Sequence, residues 1–190
     1  DIGRLRERIE ARDFAHGDGG LRSHPIATDY HAWLTANLAL GHRKLKVVVD
    51  AGNGPTGPVA PGILRALGCE VHELYCDPDG RFPNHHPDPT VAENLVDLQR
   101  EVARVGADLG IAYDGDGDRI GVVDERGGIL WGDRLMVLLS RAVLGEVPGA
   151  AIVGEVKCSQ TLFDDIAARG GRPIMSKVGH SLIKDRMKTE

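Results

Sequence analysis

Apolar positions along this chain switch repeatedly between a short continuous run and a helical period, and that alternation predicts a layered α/β protein. Leu45 to Val49 is a β-branched run that reads as a buried strand, and Asp29 to Leu40 before it carries apolar residues at helical spacing. After it the pattern predicts a helix over 58–67, a strand over 70–75 and a loop rich in Pro and His over 77–90. A helix over 91–104 comes next, then strands over 108–113 and 120–124. Residues 1–12 are charged and read as a short helix, which Gly17 to Gly20 and Pro25 separate from the rest as a linker.

The same order begins again near Gly127-Gly128. Ile129 to Trp131 is short and apolar, Asp133 is placed to cap a helix running to about Leu144, and Ala151 to Val153 reads as a strand. Ser159 is placed to cap a helix to Arg169, Arg172 to Met175 reads as a strand, and a further helix opens near Ser181. Strands alternating with helices imply a largely parallel sheet with helices on its faces. The expected organisation is residues 1–25 as a tail and linker, 26–127 as one α/β unit, and 128–190 as a second unit with its own, incomplete sheet. Repetition is of element order only; the two units share no run of identities.

Composition narrows the partners. The chain has 190 residues, 42% of them hydrophobic, which suits a folded protein of one large or two small domains. A net charge of −5 without any Lys/Arg block argues against nucleic acid or a membrane surface, and no apolar run approaches the length of a membrane span. Cys69, Cys76 and Cys158 fit no metal spacing and cannot all pair, which points to a reducing, cytoplasmic compartment. The start at Asp1, without Met or a leader, reads as a fragment boundary.

The chemistry concentrates at Asp114-Gly115-Asp116-Gly117-Asp118-Arg119, directly after the apolar run Leu109 to Tyr113. Carboxylates at every second position offer oxygen ligands to a hard divalent cation, and the intervening glycines permit the tight bend that turns them toward one point. An EF-hand would also place acids at 114, 116 and 118 and Glu125 at the twelfth position. It requires Gly where Arg119 stands, however, and helices where both flanks read as strands. A guanidinium beside three carboxylates makes sense where an anion joins the metal, so Mg²⁺ together with a phosphoryl group is the expectation.

Three further segments compete for a role. Gly52-Asn53-Gly54-Pro55-Thr56-Gly57 follows a strand and precedes a helix, matching the dinucleotide fingerprint G-x-G-x-x-G, with Glu73 where a ribose-binding acid would lie. That makes a nucleotide-binding oxidoreductase an alternative. Pro55 and Pro58 remove amide donors a pyrophosphate would use, so a tight packing turn is the preferred reading. In Phe82-Pro83-Asn84-His85-His86-Pro87-Asp88-Pro89 the two histidines are read as bonding nearby backbone in a stiff connection. Lys157 and His180 both follow strands and stand near helix starts, on the edge expected to carry the metal loop, so the sequence suggests a shared cleft.

Taken together, Asp50 to Gly54, the Phe82–Pro89 loop, the Asp114–Arg119 loop, Val156-Lys157-Cys158 and Gly179 to Lys184 resemble the bacterial phosphomannomutase/phosphoglucomutase branch of the α-D-phosphohexomutases. The resemblance runs nearly end to end. It implies two successive three-layer α/β domains with mixed, largely parallel sheets, the second incomplete: the tail of a first domain, a metal-binding second domain and part of a sugar-binding third. The implied activity is interconversion of hexose 1-phosphate and hexose 6-phosphate through a bisphosphorylated sugar. By resemblance, Asp114, Asp116 and Asp118 hold Mg²⁺, Arg119 braces the phosphoryl group, and Lys157 and His180 contact the sugar and assist proton transfer. The phosphoserine loop, the sugar-selecting loop and the phosphate-binding domain of the family have no counterpart in the chain. A non-catalytic metal- and phosphosugar-binding fragment is therefore the competing reading for these 190 residues.

Overall fold

The computed structural model describes residues 2–190, and backbone pairing divides its strands between two sheets. The first contains β1 (Lys46–Asp50), β2 (Glu70–Leu74), β3 (Leu109–Tyr113), β4 (Ile120–Asp124) and β5 (Ile129–Leu130), in the spatial order β2-β1-β3-β4-β5. β1 runs parallel to β2 and β3, whereas β3, β4 and β5 pair antiparallel. The second sheet pairs β6 (Ala151–Glu155) with β7 (Arg172–Ser176) in parallel. The architecture is mixed α/β, with parallel pairing wherever a helix makes the crossover.

β1 explains the layering. Successive strand residues face opposite sides. Val47 and Val49 pack with Cys69, and with Ala60 and Leu64 of helix α3 (Ala60–Ala66), on one face. Val48 packs on the other with Leu95 of a 3-10 turn (Ala92–Leu95) and with Leu98 and Val102 of helix α4 (Val96–Val105). Both faces are covered, so the strand shows no polar alternation. Gly110 lets α4 lie close to β3, since a Cβ there would come within 2.7 Å of Leu98 Cδ1. Helix α1 (Ile2–Glu10) buries none of its residues. Helix α2 (Ile26–Asn37) starts three residues earlier than its periodicity suggests and lies against α3.

In the second unit Leu144 of helix α5 (Gly132–Glu146) packs with Ile152, and with Leu162 and Ile166 of helix α6 (Gln160–Ala168). Ser159 caps α6 as expected, its Oγ accepting from the Thr161 amide at 3.3 Å. Helix α7 (His180–Arg186) begins after Gly179, whose φ of +133° excludes most side chains.

Two local expectations are corrected. Ile129 and Leu130 do not open the second sheet; they pair with Val123 and Val122 of β4 and extend the first. Asp133 is not the α5 cap, a position Trp131 occupies. It sits in the first turn, where its carboxylate accepts the amides of Arg134 at 2.8 Å and Ser159 at 3.1 Å, tying the start of α6 to that of α5. Among the described residues no helix is long and apolar enough to cross a membrane.

Candidate functional site

The loop joining β3 to β4 gathers three aspartates. One carboxylate oxygen from each of Asp114, Asp116 and Asp118 lies within 4.8 Å of the others, a spread that one cation can span. Asp114 is fully buried, whereas Asp116 and Asp118 are exposed. The bend depends on Gly117, which has φ +78° and donates its amide to the Asp114 carbonyl at 3.1 Å. A Cβ on Gly117 would overlap the methyl of Thr56. Gly115 is needed for a different reason: a Cβ there would press on Pro87 Cγ at 3.2 Å.

Arg119 closes the loop. Its amide donates to Asp114 Oδ1 at 2.9 Å and its Nε to Oδ2 at 2.7 Å, while Asp118 and Asp88 lie within ion-pair range of the guanidinium at 3.6 and 3.7 Å. Burial opposes ionisation of Asp114, but the Arg119 amide and guanidinium outweigh it and hold the carboxyl below its ordinary range. Three carboxylates, with the buried one held anionic, form a donor set that fits a hard divalent cation.

The proline-histidine loop lies against this one. A Cβ on Gly52 would meet Pro87 at 2.9 Å, and one on Gly121 would meet Pro89 at 2.7 Å, so only glycines admit the loop on both sides of the aspartates. The expectation that these histidines bond nearby backbone holds only in part. His85 Nδ1 does bond the His86 carbonyl, at 3.0 Å, but its Nε2 meets the buried carboxylate of Asp50 at 3.0 Å. The sequence carries no sign of this partner, 35 positions away. Asp50 ends β1, and its Oδ1 also accepts the Gly52 amide at 2.9 Å.

The glycine fingerprint is a packing turn. The amides of Asn53, Gly54 and Gly57 are taken by the carbonyls of Tyr75, Ala51 and Gly54. A Cβ on Gly57 would run into the Cys76 carbonyl. Glu73 pairs with Arg65 at 2.5 Å rather than standing free for a ribose.

Lys157 and His180 come after β6 and β7, neighbouring parallel strands, and so share the carboxyl edge of the second sheet. Lys157 is exposed and reaches Glu155 at 3.4 Å; His180 is exposed at the first position of α7. Among the described residues neither bonds to the Asp114–Arg119 loop. A groove of about 230 Å³ lies beside that loop, with Arg119, Pro89 and Trp131 on its walls.

Residues 29–128 match the family model described as phosphoglucomutase/phosphomannomutase, alpha/beta/alpha domain II, and residues 131–190 match domain III of the same series. The chain belongs to the phosphoglucomutase/phosphomannomutase family. It is 50% identical over 184 residues to the phosphomannomutase/phosphoglucomutase of Pseudomonas aeruginosa, an alignment covering 97% of this chain and 40% of that protein. A phosphoglucomutase of Neisseria meningitidis serogroup A is 42% identical, over 95% of this chain and 39% of its own length. A solved phosphoglucomutase/phosphomannomutase family protein of Burkholderia thailandensis superposes with a TM-score of 0.89 at 44% identity, covering 99% of this chain and 41% of that one. This chain thus spans about two fifths of the length of the relatives it matches. Within the family's domain numbering, the three aspartates fall in the segment matched to domain II, and Lys157 and His180 in that matched to domain III.

Proposed function

We propose that this chain supplies the metal-binding domain and part of the sugar-binding domain of a Mg²⁺-dependent phosphohexomutase. The reaction is the interconversion of hexose 1-phosphate and hexose 6-phosphate, with glucose or mannose as the sugar, through a bisphosphorylated intermediate. The observation that carries this reading is the convergence of Asp114, Asp116 and Asp118 within 4.8 Å in a chain of this family. Those three residues would hold the cation, which when bound supplies positive charge against phosphoryl oxygens.

The chain's own residues do the rest. Arg119 keeps Asp114 ionised and oriented through Nε, while its half-exposed guanidinium has further N–H donors to offer a phosphoryl oxygen. Lys157 and His180, at the carboxyl edge of β6 and β7, hold the sugar and move a proton at its hydroxyl. The phosphoserine belongs to a domain outside these residues. Three free cysteines support a reducing, cytoplasmic setting.

The length relative to its homologues favours a second reading for residues 1–190 by themselves: a binding unit without turnover. Phosphoryl transfer needs a donor group and an oriented substrate, and this reading leaves both to other domains. The test is a coupled assay with Mg²⁺, glucose 1-phosphate and glucose 1,6-bisphosphate. The chain alone should give no turnover. Grafted in place of the matched 184 residues of the Pseudomonas aeruginosa relative, it should support turnover that Asp116→Asn abolishes. A folded graft that is inactive, or one indifferent to Asp116→Asn, would contradict the assignment.

A further inference from the structure

The Asp50–His85 pair has no part in the cation site or the sugar contacts, yet its setting is unusual. Asp50 is completely buried and the His85 side chain is 12% exposed. A buried carboxylate is tolerated only where its lone pairs are satisfied. Here the Gly52 amide and His85 Nε2 satisfy them, the latter at 3.0 Å from Oδ2 and 3.3 Å from Oδ1. The other ring nitrogen faces the His86 carbonyl at 3.0 Å. An ionised Asp50 and the His86 carbonyl both accept, and an imidazolium, with an N–H on each ring nitrogen, satisfies both. Tyr75 packs edge-on against it, with ring centroids 5.5 Å apart.

The residues just after His85 give the pair its reach. Pro87 rests on Gly52 and Gly115, Asp88 faces Arg119 at 3.7 Å, and Pro89 rests on Gly121. Three consecutive residues therefore touch the metal loop near its start and just beyond its end. Asn84 adds a neutral tie, donating to Asn53 Oδ1 at 2.7 Å. The ionic anchor between this segment and β1 is His85 on Asp50.

We propose that Asp50 and His85 are positioning residues for the metal loop: their buried ion pair clamps Phe82–Pro89 against Gly115 and Arg119, and so fixes the spacing of the three aspartates. The inference rests on reading Asp114, Asp116 and Asp118 as the cation site. With the clamp released, Pro87 no longer packs over Gly115 and Asp88 no longer restrains Arg119. The aspartates then sample wider separations, and the ordering lost must be supplied by the cation on binding.

The test is a titration of the 190-residue chain with Mn²⁺, following free Mn²⁺ by electron paramagnetic resonance, beside circular dichroism to establish folding. The parent should bind one Mn²⁺ and Asp116→Asn should not. His85→Ala should bind about tenfold more weakly. His85→Gln, which keeps an N–H near the place of Nε2, should recover affinity to within about threefold of the parent. If His85→Ala does not fold, Asp50→Asn carries the test, because it keeps the shape, removes the charge, and should weaken binding about threefold. Parent-like Mn²⁺ affinity in folded His85→Ala, or in Asp50→Asn, overturns the inference, as does a His85→Gln no better than His85→Ala. A parent that binds no Mn²⁺, or an Asp116→Asn that binds it fully, instead removes the cation site on which the inference depends.

Discussion

Arg119 holds Asp114 at two points, its amide 2.9 Å from Oδ1 and its Nε 2.7 Å from Oδ2, and so closes the loop that carries all three aspartates. The Asp114 side chain is 1% exposed, so its ionised state depends on this grip.

Replacing Arg119 by Ala leaves the Asp114 carboxylate buried with its backbone donor alone. The expected loss is about 1–3 kcal/mol of stability, the usual consequence of stranding one partner of a buried charged hydrogen bond. Saturating Mg²⁺ should shrink that loss, because a cation on the aspartates replaces the missing positive charge. Urea denaturation in EDTA and again in Mg²⁺ measures both; equal losses in the two conditions would count against a cation on Asp114.

Gly117 and Gly115 should respond differently to a methyl group. Gly117→Ala forces a left-handed backbone on Ala and drives its Cβ into Thr56, which should cost about 1–3 kcal/mol. Gly115→Ala meets only Pro87 at 3.2 Å and should cost less. Adding Thr56→Ala to Gly117→Ala should recover the steric share and leave the backbone share. Thermal denaturation of the three variants beside the parent decides whether the two contributions separate.

The residues whose places are legible in the sequence and those whose places are not differ in one physical respect. Elements such as β1 and α4 are legible because burial on one or two faces leaves a periodic record in the apolar residues themselves, Val47 to Val49 or Leu98 and Val102. The metal loop is legible because its donors are close in sequence. β5 reads as part of the wrong sheet because two residues carry no period, and its neighbour is decided by pairing with Val122 and Val123. Asp133 has the residue type of a cap, but its carboxylate is drawn to the amide of Ser159, 26 residues later. His85 reads as a loop histidine because its partner, Asp50, is the last residue of β1, 35 positions earlier. Nothing in local spacing records a contact that depends on tertiary closure.

The Asp50–His85 pair also predicts a pH dependence. The bond to Asp50 raises the His85 pKa, burial opposes it, and the His86 carbonyl and the more distant Asp97 add to the rise. Tyr75, packed on the same ring, is itself pushed up to about 12 by burial and by its bond to Asp97, so it stays neutral near pH 7. A histidine whose folded pKa lies above the unfolded value of about 6.5 contributes stability that is full below that value. The contribution fades as pH rises through the folded pKa. The stability difference between the parent and His85→Gln should therefore be largest near pH 6 and decline above neutrality. A difference that is flat from pH 6 to pH 9 would mean that His85 is not charged by Asp50.

Cation binding at the aspartate loop is the claim on which the functional reading turns, and calorimetric titration of the chain with Mg²⁺ or Mn²⁺ tests it most directly. One cation per chain is expected, lost in Asp116→Asn and retained in Glu125→Gln, since Glu125 stands in the turn after β4 rather than with the three aspartates. An EF-hand arrangement would lose the cation with Glu125 as well. A chain that binds none, or whose binding survives Asp116→Asn, would contradict the account.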